Sequence, residues 1–101
     1  MKKQLDVLKE TKLESRVRLG IMSILAVNDW VEFKSLRELL GLSDGNLASH
    51  IKALEKLAYL EVRKEFVERK PQTTYAMTTK GRIAFEAHLR ALEDLLKLGG
   101  G

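Results

Sequence analysis

Two amphipathic helical stripes joined by a glycine-led turn constrain this chain more than anything else in its sequence. In SDGNLASHIKALEKL, residues Ser43 to Leu57, the apolar side chains Leu47, Ile51 and Leu54, continued by Ala58, recur at i, i+4, i+7 and i+11. That spacing lines one side of a helix and marks the side that faces a core. The same arithmetic puts Gly45, Ser49, Lys52 and Lys56 on the opposite side, small or polar throughout. Ser43 or Asp44 supplies an N-cap, because a short oxygen side chain can accept from the free amides of the first turn. Just upstream, FKSLRELL carries a second stripe of Phe33, Leu36, Leu39 and Leu40 and runs into Gly41, a C-terminal stop. Two helices meeting across so short a turn make a helix-turn-helix, whose second helix lies in the major groove of DNA.

Size and charge are compatible with that reading. A chain of 101 residues with 45% hydrophobic content can bury one modest core, and we expect a single domain spanning 1–101. No apolar run is long enough to cross a membrane, and MKKQLDVLKE is too often interrupted by charge to be a signal-peptide core. The expectation is a cytoplasmic protein with no membrane partner. With no cysteine, disulfides, thiolate catalysis, zinc ribbons and thiolate metal sensing all fall away. The net charge of +4 is a mild bias, but its placement is informative. Lys and Arg outnumber Asp and Glu by 6 to 3 in residues 1–20 and by 5 to 3 in residues 61–80, leaving −1 for the remainder. Positive charge therefore gathers in the N-terminal arm and just after the second helix, where phosphate contacts are needed.

Taken in order, the arm 1–12 has Leu5 and Leu8 at helical spacing among lysines, an apolar side that needs a partner. A first helix from Ser15 to Val27 carries Val17, Ile21, Ile24 and Leu25, and the helical core extends over 15–57. Asn28 and Asp29 punctuate the chain, and Trp30 to Phe33 reads as a small strand or extended link. Over 59–78 the residues alternate as two strands, Leu60, Val62 and Phe66 or Val67 outbound and Tyr75 and Met77 returning. Between them Glu68, Arg69, Lys70, Pro71 and Gln72 form a basic tip, where the proline is expected to stop pairing. Thr78 or Thr79 caps a long helix over 79–98, and 99–101 reads as a flexible glycine tail. Within that helix Phe85, Leu89, Leu92 and Leu96 repeat as an a/d seam. Together with Leu5 and Leu8 they are the expected contacts of a homodimer.

This order of elements, mainly α with a two-stranded β-wing and a long C-terminal helix, is the winged helix-turn-helix plan. The chain resembles the MarR/ArsR-like winged-helix transcriptional regulators, especially small archaeal and bacterial members. The carriers are LESRVRLGIMSIL, then LRELLGLSDGNLASHIKALEKLAYLEVRKEFVERKPQTTYAMTTKG, and finally FEAHLRALEDLL. One departure is Ala58, which stands at a turn where such proteins usually have glycine.

The resemblance implies that Asp44, Asn46, Ala48, Ser49 and Lys52 contact bases or phosphates. It also implies that the wing residues Arg63, Lys64, Arg69 and Lys70, with Thr73, follow the backbone or minor groove. Ser49, Lys52 and Lys56 also follow independently from the division of the helix into faces. The expected function is a DNA-binding regulator, a repressor on a pseudo-palindromic operator of double-stranded DNA. A small-molecule effector in an apolar pocket between the long helix and the core is a family-level expectation.

Other readings compete at each feature. Lysines on a lone helix are most often only solvated, and a charged hairpin tip is often only a soluble turn. The seam leucines have a rival home against the first helix of their own chain. His50 and His88 lack partners at ligand spacing and read as packed or surface histidines, and Trp30 reads as core. No metal or cofactor is expected, and no HExxH, phosphate-cradling glycine loop or cysteine supports an enzyme. The alternative function is a winged-helix module that binds protein and not DNA, which Asp44 and Glu55 favour and Asn46, Ser49 and Lys52 oppose.

Overall fold

The computed structural model describes residues 1–99. The elements run α1 (Lys2–Glu10), α2 (Arg16–Val27), β1 (Val31–Glu32), α3 (Phe33–Leu40), α4 (Asp44–Lys56), β2 (Leu60–Val67), β3 (Lys70–Met77) and α5 (Thr79–Gly99). Of the glycines expected as a flexible tail, Gly99 closes α5, and Gly100 and Gly101 lie outside the described residues.

Local chemistry explains the helix boundaries. Ser15 caps α2 by accepting from the Arg18 amide, and Ser43 caps α4 by accepting from the Asn46 amide. Gly41 ends α3 at φ +63°, in the left-handed region that glycine enters without strain. Thr78 caps α5, its Oγ1 accepting from the Gly81 amide at 2.9 Å.

One core joins the helices to the sheet. Leu13, Ile21, Met22, Leu25, Leu36, Leu47 and Leu54 are fully enclosed, and Tyr59, Leu60, Tyr75 and Phe85 close the edges. Leu36 buries as expected, with Phe33 and Leu40 half-buried, but Leu39 is exposed. A short α3 has only one side against α2, and Leu39 falls outside that arc.

The sheet is antiparallel with order β1-β3-β2. Val31 and Glu32 pair with Tyr75 and Thr74, and β2 pairs with β3 along its whole length. The hairpin differs from expectation at its tip. Val67 and Lys70 pair across a turn made by Glu68 and Arg69 alone, both at positive φ (52° and 68°), as the right-handed strand twist favours. Pro71 is a strand residue opposite Phe66. Because Val67 and Lys70 flank so tight a turn, they form a hydrogen-bonded pair, and the next pair is non-bonded, where proline's missing N–H costs nothing. Nor does the outbound strand alternate inward: after Leu60 every β2 residue is exposed, because the wing projects past the core.

The arm is α1, and it packs on α5 of the same chain. Thr11 is the joint. Its Oγ1 donates to the Leu8 carbonyl and accepts from His88 Nδ1 at 2.7 Å, and its carbonyl accepts from the Tyr59 hydroxyl at 2.9 Å. His88 is thus a packed histidine inside the structure, 3% exposed. A second joint links the end of α4 to the start of α5. Thr78 Oγ1 donates to the Ala58 carbonyl at 2.6 Å, and the Thr78 amide donates to the Tyr59 carbonyl at 3.1 Å. A Cβ on Gly81 would lie 2.0 Å from that Tyr59 oxygen, so only glycine lets α5 approach. Ala58 itself is not part of the α4 seam. It follows the helix, exposed, at φ +60°.

The radius of gyration is 15.1 Å, against about 13 Å for a compact chain of about 100 residues. The α1/α5 pair and the wing account for the elongation. No helix among the described residues is long and apolar enough to cross a membrane.

Candidate nucleic-acid interface

The outward side of α4 is open along its whole length. Leu47, Ile51 and Leu54 are buried, whereas Asp44, Gly45, Asn46, Ala48, Ser49, Lys52 and Lys56 are all exposed. The helix therefore offers hydroxyl, amide and ammonium groups on a surface whose small residues allow close approach. Residues at the start of such a helix are the ones that reach base edges in a major groove.

Two contacts fix how this helix is held, and neither was anticipated from the sequence. Arg37, in the last turn of α3, donates from Nη1 to Asp44 Oδ1 at 2.7 Å. The hydrogen bond to Asp44, reinforced by its charge, holds the Arg37 pKa above the usual guanidinium value. On the other flank Arg18 Nε donates to His50 Nδ1 at 3.4 Å, tying α2 to α4. The first pair had a signal, an arginine ending one helix and an acid opening the next across a short turn. The second spans 32 residues with no local pattern.

The wing separates its basic residues by face. Strand residues alternate sides, and the register pairs Leu60 with Met77, Val62 with Tyr75, Lys64 with Thr73 and Phe66 with Pro71. Lys64 and Thr73 therefore share the face that at its base closes the core through Leu60 and Tyr75. Arg63 lies on the other face and is engaged. It pairs with Glu65 at 3.1 Å and sits over the Trp30 ring at 4.3 Å, a cation–π arrangement. Trp30 is accordingly a half-buried platform for the wing and not a core residue. Gln72 donates to Glu32 from the same side and ties β3 to β1. Arg69 sits in the turn itself and Lys70 beside it, both exposed.

The expected dimer contacts fall into two groups. Phe85 belongs to the chain's own core, 8% exposed. It is withdrawn from the seam because it is the first seam residue over the helical bundle. Leu8 is half-covered by the packing of α1 on α5. Leu5, Leu89, Leu92 and Leu96 are exposed, as are Met1 and Leu98.

The cleft between α1 and α5 measures about 230 Å³ and is lined by Lys3, Gln4, Val7, Ala87, Arg90, Ala91 and Asp94. It lies between the long helix and the arm, whereas the effector pocket was expected between the long helix and the core. Among the described residues no cluster of histidine and acidic side chains has the arrangement to hold a metal ion.

The family model that matches residues 17–96 is described as a winged helix DNA-binding domain. An uncharacterised protein of Methanocaldococcus jannaschii is 36% identical over 83 residues, covering 82% of this chain and 90% of its own. Among solved structures, the transcriptional regulator homologue from Pyrococcus horikoshii superposes with a TM-score of 0.87 at 30% identity, covering 96% of each chain. At lower identity the fold recurs. The transcriptional repressor CouR, solved bound to a 23-mer DNA duplex, gives a TM-score of 0.75 at 17% identity, covering 94% of this chain and 69% of its own. A MarR-family regulator from Silicibacter pomeroyi gives 0.62 at 14%, covering 95% and 68%.

Proposed function

The chain belongs to the winged helix DNA-binding domain family, and from that premise we propose that it is a homodimeric, sequence-specific transcriptional repressor. The family and its solved neighbours are regulators, not enzymes. The observation that carries the proposal is α4 itself. Its apolar side is consumed by the core, and its other side leaves Asn46, Ser49, Lys52 and Lys56 free for a polar partner.

In this reading α4 enters the major groove. Asn46 pairs with adenine, Ser49 bonds to a base edge or phosphate, and Lys52 supplies a point charge. Lys64, Thr73, Arg69 and Lys70 hold the wing along the backbone and contribute affinity without much specificity. Arg63, already engaged by Glu65 and Trp30, contributes by stiffening the wing's base.

The exposed leucines of α5 and α1 supply the second half of the proposal. In this reading the exposed Leu5, Leu89, Leu92 and Leu96 meet their own copies about a two-fold axis. Such a dimer is expected to present its two α4 helices to half-sites about 34–36 Å apart. Specific binding near ~10⁻⁸ M that falls steeply with salt is the expectation for such a dimer.

A titration on promoter fragments, including the region upstream of the protein's own coding sequence, tests the reading. Wild type should select one fragment, and a Ser49→Ala, Lys52→Ala double variant should lose that selectivity. Equal and non-selective binding by both proteins would remove α4 as the reading helix.

A further inference from the structure

Resting on α4 as the reading helix, we propose that Asp44 is a base-reading acceptor for cytosine, with Arg37 as its positioning residue. An acid on a DNA-facing surface is a liability near phosphates unless it does something a neutral residue does not. Asp44 opens α4, the position from which side chains reach base edges. It is not needed as the N-cap, because Ser43 Oγ already accepts from the Asn46 amide at 3.2 Å. Its side chain is 70% exposed and yet held: Oδ1 accepts from Arg37 Nη1 at 2.7 Å. Among the described residues Oδ2 takes no hydrogen bond, and it remains a fixed, open acceptor.

The chemistry of the groove selects its partner. A carboxylate can only accept, so the acceptors of guanine and thymine repel it. Adenine offers its N6 amino group but places the N7 acceptor beside it. Cytosine presents the N4 amino donor with no acceptor of its own alongside, so it is the base that this oxygen reads. Arg37 lowers the repulsion between Asp44 and the nearby phosphates and stops the carboxylate from rotating away. Its remaining N–H groups are free to meet the phosphate that flanks the contacted base.

The experiment selects duplexes from a random pool with the full chain and compares the recovered sites. Wild type should recover cytosine at one position of each half-site, with about tenfold preference over the other bases. Asp44→Asn, which keeps the shape and folds, should shift that position towards adenine and leave the rest of the site unchanged. Arg37→Met should flatten the same position, and Arg37→Lys should restore part of the preference, which a merely structural role for Arg37 would not produce. If Asp44→Asn recovers the wild-type site and only binds more tightly everywhere, Asp44 is a repulsive charge and the proposal is overturned while the function stands. If wild type recovers no site at all, the reading of α4 falls as well.

Discussion

The two ends of this molecule treat their apolar residues in opposite ways. In α4 the apolar side is sealed, with Leu47 and Leu54 wholly enclosed, and what remains outside is small, polar or charged. In the distal part of α5 the sealing stops. Phe85, His88 and Ala91 are covered, but Leu89, Leu92, Leu96 and Leu98 face outward. A polar surface with a rigid backing suits a hydrated, charged partner, and leucines at heptad spacing suit a copy of themselves. In the proposed function this difference gives one small domain two kinds of partner. The junction between the regions brings the end of α4 against the start of α5 through Ala58, Tyr59, Thr78 and Gly81, although the whole wing separates them along the chain.

The largest effect should come from breaking that junction. Gly81→Ala forces a Cβ against the Tyr59 carbonyl, and the backbone on neither side can yield cheaply. We expect a loss of ~3 kcal/mol or more by denaturant unfolding, since steric overpacking against backbone is among the severe mechanisms.

Leu92→Glu should act on one end alone. Sedimentation should show the dimer dissociating, with its dissociation constant raised about 100-fold or more, while circular dichroism and unfolding of the monomer stay near wild type. A variant that unfolds instead would mean that Leu92 belongs to the chain's own core.

A smaller effect concerns pH. Burial holds the His88 pKa below its ordinary value of 6.5, with Glu14 opposing the shift. The unfolded chain therefore takes up a proton that the folded chain refuses. Stability is fully present above pH about 6.5 and declines as pH falls from there towards the lowered folded value. His88→Gln should flatten this slope in pH-dependent melting. An unchanged slope would show that the Thr11–His88 joint is not its source.

The smallest effect comes from relaxing one strained point beside the junction. Ala58 stands at φ +60°, and Ala58→Gly should raise stability by up to ~1 kcal/mol, the left-handed penalty less the added unfolded-state freedom.

The helices were legible in the sequence because their caps and stripes are local. Ser15, Gly41, Ser43 and Thr78 act within four residues of the groups they satisfy. The buried and open sides of α4 followed from periodicity alone. The end of the wing was misread because Pro71 signals a break only where its amide is needed, and pairing register decides that. Leu39 and Phe85 were misassigned for a common reason: a stripe shows which side is apolar, not where along a helix the neighbour ends. Arg18 with His50 and Arg63 with Trp30 join residues far apart in the chain, and no spacing rule points to them. Ala58 fits the α4 stripe by spacing but lies past the helix end at φ +60°, at the turn where the resemblance leads one to expect glycine.

The central claim is that leucine pairing presents two reading helices to one stretch of DNA. Measuring the mass of the complex by sedimentation on a selected duplex, with nuclease protection in parallel, tests it most directly. Two chains per duplex are expected, with two protected tracts whose centres lie about one helical turn apart, ~34–36 Å. One chain per duplex over a single tract would contradict it.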